Sequence, residues 1–364
     1  MNPVGHVADA VGRPDLIHLG ERLHCVRFET MKVLSADAAV RHLLDTGRVG
    51  PGDTLLDSSS GIYALALALA CHRYGLGCHI VGSTTVDAAV RAQLELLGAT
   101  LDPMPPSEDL KLDQCRRVAR VHELLAARPR LHWMRQYHDE IHQLGYRPVA
   151  EMVRDALGPV PLTVVGGVGS GASTGALARY LRATDPPGRR TRLAGVQPFG
   201  SVTFGSEHVA DPDIIIAGIG SSIPFGNVDH AAYDVVHWTG FGAACSSAVA
   251  LLRRHAVFAG LSAGAAHLAA CWERELDPGR TVVFVAPDTG HRYVGAVFAR
   301  HAEVAPMEQL APHPVTGTAE LALPWSRMEW AGAPAPPAAV PGRDAEAQAP
   351  ARRSRPAGVH PGRR

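Results

Sequence analysis

The stretch VVGGVGSGASTGALARYL, residues 164–181, decides the fold. Its β-branched start belongs to LTVVGG (162–167), which reads as a buried strand, and residues 173–181 read as a helix opened by the glycine turn. Glycines between a strand and a helix let the main chain come close to an anion, and the helix start adds free N–H groups and partial positive charge. Gly169, Ser170, Gly171, Ala172 and Ser173 are thus candidates to wrap a phosphate. The same letters satisfy G-x-G-x-x-A through Gly167, Gly169 and Ala172, the turn that takes a dinucleotide pyrophosphate. The ribose-binding acid expected about 20 residues on is replaced by Arg189, Arg190 and Arg192, which weighs against NAD and leaves NADP open. A packing turn without ligand is a third reading.

The same alternation extends in both directions. A helix over 36–46 with Ser35 as its cap, a strand at 54–57, a helix at 62–74 ended by Gly75, a strand at 78–82 and an amphipathic helix at 85–97 precede it. A helix near 148–157, strands at 193–196, 213–218 and 281–287, and helices near 241–254 and 263–274 complete the pattern. Strands alternating with helices specify parallel sheets covered by helices, an α/β fold. From 331 to 364 the chain turns to Ala, Pro, Gly and Arg without an aromatic residue, and a disordered tail is expected.

With 364 residues, two domains are the expectation. Basic and acidic residues number 35 each, so no strong field favours nucleic acid or an anionic membrane, and a small neutral or zwitterionic ligand fits better. The longest apolar run, 62–71, is shorter than the roughly 18 residues of a membrane span, and a cytoplasmic protein is expected. Six scattered cysteines read as reduced thiols. His138 and His142 have i, i+4 spacing, but Asp139 stands where the zinc protease motif needs Glu and no third ligand is evident, so no metal is expected. Cys71-His72 and Cys78-His79 read as buried structural cysteines with neighbouring histidines.

A second segment, DSSSGIYALALALACHRYGLGCHIV (57–81), places serines and a glycine at another helix start. It resembles the T-S-G-N-T-G turn of the fold type II pyridoxal-phosphate-dependent enzymes, the cysteine synthase and cystathionine β-synthase family. VGRPDLIHL (11–19), MRQYHDEIH (134–142), GVQP (195–198), GIGSSIP (218–224), FAGLSAGAA (258–266) and PDTGHRYVG (287–295) are similar to further motifs of that family in the same order, over about residues 10–300.

The resemblance implies two doubly wound α/β domains, 33–146 and 1–32 with 147–310, with pyridoxal phosphate in the cleft between them. It implies a Schiff base on Lys32 in RFETMKVLSA, a phosphate cradle at Gly169 to Ser173, and Ser262 opposite the pyridine nitrogen. Ser59, Ser60 and Gly61 would hold the substrate carboxylate, and Gln136 would be a further substrate contact. Ile62 stands beside the cofactor where the family has asparagine, with Tyr63 as a possible substitute donor, and the N-P-x-G-S loop before the lysine is largely missing. The implied reaction is β-replacement or β-elimination on an activated serine, an O-acyl or O-phospho ester, with a small nucleophile such as sulfide, in a homodimer. An NADP-dependent reductase and a non-catalytic homologue acting as a binding module are the rival readings.

Overall fold

The computed structural model describes residues 3–330, apart from residues 60, 84, 85, 106–109, 212–215 and 217. The expected strand at 213–218 falls largely on residues outside this set, and the stretch 331–364 lies wholly outside it. A short helix α1 (Val7–Val11) leads into an antiparallel hairpin, β1 (Asp15–Gly20) and β2 (Leu23–Arg27). Helix α2 (Lys32–Asp45) follows, starting a turn before the expected 36. Ser35 is therefore not its cap: the residue lies inside the helix, and its hydroxyl donates to the His142 carbonyl at 2.9 Å.

From there the chain alternates as its apolar pattern dictates. Strand β3 (Thr54–Ser58), helix α3 (Ile62–Tyr74), β4 (Gly77–Ser83), α4 (Ala88–Leu96), β5 (Thr100–Met104), α5 (Leu110–Ala127) and β6 (Leu131–Trp133) build a parallel sheet in the order β5-β4-β3-β6. Asp87 starts α4 by accepting from the Ala89 and Val90 N–H groups, and left-handed Gly75 ends α3. After a 3-10 segment at Glu140–Tyr146 come α6 (Arg147–Leu157), β7 (Leu162–Gly167), α7 (Thr174–Arg182), β8 (Arg192–Pro198), β9 (Val235–Thr239), α8 (Phe241–His255), α9 (Leu261–Leu276), β10 (Thr281–Ala286), β11 (His313–Pro314) and β12 (Trp325–Glu329). These join the hairpin in an eight-stranded sheet, β1-β2-β10-β7-β8-β9-β12-β11. Residues 313–329 thus extend this sheet past position 310.

The strand orders place the site. In the larger sheet β7 lies between β8 and β10, and in the smaller β3 lies between β4 and β6, so each order reverses beside a central strand. Loops at the carboxyl ends of such strands diverge and leave a crevice. The glycine turn follows β7, and the serine turn follows β3. One buried polar network fixes the far side of the larger sheet. Trp325 Nε1 donates to His237 Nδ1 at 3.1 Å, leaving Nε2 to face Glu273 at 3.2 Å, and Arg327 Nε donates to Glu273 at 2.6 Å. The pattern of β9, with a histidine mid-strand, is tolerated because that histidine is fully paired.

Candidate active site

The turn after β7 is held open by its neighbours. A side chain at Gly169 would run into the Gly218 carbonyl oxygen, and one at Gly171, where φ is +79°, would stand 2.6 Å from the Asn227 oxygen. Ser170, Ala172 and Ser173 are buried, Ser173 makes no capping bond at the start of α7, and the Ala172 N–H donates to Ser170 Oγ at 3.4 Å. Lys32, first residue of α2, reaches into this turn: its Nζ donates to Ser170 Oγ at 2.9 Å. Burial pulls the amine down to about 8, because a charged ammonium loses hydration there. Ser262 is buried on the first turn of α9, its Cβ 3.9 Å from where a Gly167 side chain would begin, so it lies beside the end of β7.

The second cradle follows β3. Gly61 precedes α3 without a side-chain cap, and its N–H donates to Ser59 Oγ at 3.3 Å. Ser60 lies outside the described residues. Gln136 is buried against this turn, its Nε2 donating to the Ser58 carbonyl at 2.9 Å. Ile62 is half-buried at the helix start. Tyr63 is buried in the core of the smaller sheet, edge-on to His142, with its hydroxyl unpaired.

The two cradles meet. Asn227, whose backbone packs on Gly171, donates from its side chain to the Gln136 carbonyl at 3.1 Å. Gln114 of α5 accepts from the Ser222 N–H at 3.0 Å, in the segment that packs on Gly169. Arg292, after β10, brings a guanidinium nitrogen within 3.7 Å of where a Gly61 side chain would begin. Asp57, Asn227, Arg292 and Arg117, which donates to Ser58 Oγ at 3.3 Å, were not singled out in the sequence. Asp57 and Arg292 stand inside quoted motifs, which is the one signal that could have marked them.

Thr30 Oγ1, Asp288 Oδ1 and Asn227 Oδ1 are buried without a hydrogen-bond partner around Lys32 and the two turns. A glycine turn at a helix start with a buried lysine amine reaching into it suits a phosphorylated aldehyde such as pyridoxal phosphate, the helix start for the phosphate and the amine for the aldehyde. His142 is fully buried with Nε2 at 2.8 Å from the Met134 carbonyl, and His138 Nδ1 accepts from the Gly226 N–H at 3.1 Å, so the two histidines are engaged separately. Among the described residues no group of three or more His, Cys, Asp or Glu could hold a metal ion, and no helix is long and apolar enough to cross a membrane.

Comparison with known proteins agrees with this geometry. A family model described as pyridoxal-phosphate dependent enzyme matches residues 21–288. The chain is 30% identical over 312 residues to N-(2-amino-2-carboxyethyl)-L-glutamate synthase of Ralstonia nicotianae, covering 80% of this chain and 89% of that protein. It is 26% identical over 252 residues to cysteine synthase of Staphylococcus aureus, covering 68% and 78% of the two chains. In structure it is similar to the O-acetylserine-dependent cystathionine β-synthase of Helicobacter pylori, with a TM-score of 0.71 at 22% identity over 82% of this chain and 100% of that one, a likeness of fold.

Proposed function

Because the chain belongs to the family of pyridoxal-phosphate-dependent enzymes, we propose that it carries out β-replacement or β-elimination on an O-activated serine, with Lys32 as the lysine that carries the cofactor. The observation that supports this most is the Lys32 amine at 2.9 Å from Ser170 Oγ, inside the glycine turn. The turn from Gly169 to Ser173 would hold the phosphate through its N–H groups and serine hydroxyls, and Ser262 would face the ring nitrogen. Bound pyridoxal phosphate supplies an electron sink that makes the α-proton of an amino acid acidic.

The chain's own groups do the rest. An amine held near 8 is neutral in a usable fraction at neutral pH, so Lys32 can take the α-proton and return it. Ser59 and Gly61 just before α3, with Ser60 between them in sequence and Gln136 beside them, would hold the substrate carboxylate and orient the α-carbon toward Lys32. A hydroxyl at Ser262, unlike a carboxylate, does not keep a ring nitrogen protonated, which favours loss of the β-substituent over amino transfer. The name of the Ralstonia relative describes glutamate carrying a 2-amino-2-carboxyethyl group on nitrogen, so an amino acid amine stands beside sulfide as a nucleophile class for this chain. The same proposal includes a homodimer in the cytoplasm and two domains built on the two sheets.

Borohydride reduction followed by peptide mapping tests the core of it, together with product analysis on O-acetylserine and O-phosphoserine with sulfide or glutamate. A label on Lys32 and a β-substituted product are expected. A label on another lysine, or no turnover of any activated serine, overturns the proposal.

A further inference from the structure

We propose that Asp57 is a positioning residue that locks the serine turn and Gln136 into one rigid receptor for the substrate carboxylate. This rests on the function proposed above. Strand β6 follows β3 in register up to the bond from Met134 N–H to the Leu56 carbonyl, 2.9 Å, and there the ladder ends. At Arg135 the backbone turns left-handed, with φ of +52°, a conformation an L side chain adopts at a cost. That turn folds the next residue back toward β3. Gln136 N–H donates to Asp57 Oδ2 at 3.0 Å, while Asp57 Oδ1 accepts from Ser58 N–H at 2.7 Å and Trp133 Nε1 at 3.2 Å.

One carboxylate, 1% exposed, therefore joins the end of β3, the end of β6 and the strained turn between β6 and Gln136. Its partners are fixed N–H donors, so it does not contact substrate itself. What it sets is the relation between Ser58, whose carbonyl receives the Gln136 side chain, and Gln136. Burial pushes the carboxyl up to about 7 against the pull of these bonds and of the Arg135 charge, the signature of a group retained despite its desolvation.

Asp57→Asn keeps the shape but replaces one acceptor with an N–H₂ group, so in either orientation at least one of the three N–H donors loses its partner. Leaving a buried N–H donor without its partner corresponds to roughly a 10-fold weakening. The expected result with the holoenzyme is a KM for the activated serine raised about 10-fold or more, with kcat lowered less than about threefold and cofactor content unchanged. Trp133→Phe removes a single bond and should raise KM by a smaller factor. Hydrogen exchange supplies a readout free of turnover: Asp57→Asn should speed exchange at the Ser58 and Gln136 amides while β7 stays protected. Unchanged exchange at those two amides overturns the inference, as does a fall in kcat without a change in KM, or loss of protection throughout both sheets. If wild-type protein turns over no activated serine, the proposed function fails, and the exchange measurement still decides whether Asp57 is the tie.

Discussion

Replacing Gly171 with alanine tests the glycine turn at its tightest point. With φ of +79°, an L-residue there costs about 1–2 kcal/mol. Its Cβ would stand 2.6 Å from the Asn227 oxygen and 2.8 Å from Val228 Cα, main-chain atoms that cannot rotate away. Overpacking of that kind adds about 1–3 kcal/mol, for a total of roughly 2–5 kcal/mol. Gly175, the second residue of α7, is the matched control: its Cβ would meet only the Tyr233 hydroxyl, at 3.8 Å. Gly175→Ala should therefore be neutral or gain up to about 0.5 kcal/mol, less than at a helix-interior position. Urea midpoints of the cofactor-free proteins measure the energies, and visible absorbance after dialysis against limiting pyridoxal phosphate measures retention. Gly171→Ala is expected to be destabilised and to retain little cofactor, and Gly175→Ala to retain it fully. A Gly171→Ala protein that is destabilised yet keeps full cofactor would refute the cradle, since the turn would then serve packing alone.

Glu273 lies in the buried network with His237 and Arg327. Burial works to raise its carboxyl, but hydrogen bonds from His237 and Arg327 hold it down at about 2. A depressed folded value means that stability is present above the unfolded value near 4.5 and is lost as pH falls toward 2, about 3 kcal/mol in all. Denaturation at stepped pH should show the gap between wild type and Glu273→Gln closing over that window, and a constant gap would contradict the pairing. At Arg135, valine should destabilise by about 1–2 kcal/mol more than glycine because only glycine accepts the left-handed backbone freely; equal melting of the two variants would count against the strained turn. Ile62→Asn restores a polar side chain at the start of α3, and a changed visible spectrum and preference among β-substituted amino acids are expected; identical spectra and preferences would place Ile62 away from the cofactor.

Local chemistry made much of this chain legible without coordinates. The strand expected at 162–167 is β7, and the helix at 62–74 is α3 to the residue, because apolar runs and the glycines that stop them act within a few residues of one another. The quoted motifs in their order likewise resembled the family that residues 21–288 match. Other features needed the folded chain. Helix α2 starts at Lys32 because Met31 N–H bonds to the carbonyl of Pro287, a residue far along the sequence. Strand β6 has three residues, too few for a periodic signal, and β9 carries a histidine that only Trp325 and Glu273 make tolerable. Asp57 at the end of an expected strand and Asn227 in an unassigned stretch show no partners in sequence, yet burial and partners up to 91 positions away turn them into the ties of the site. Sequence patterns report the energetics of neighbours along the chain. Which strand lies beside which, and so which turns face one another across the crevice, is set by contacts whose energy exists only once the chain has closed upon itself.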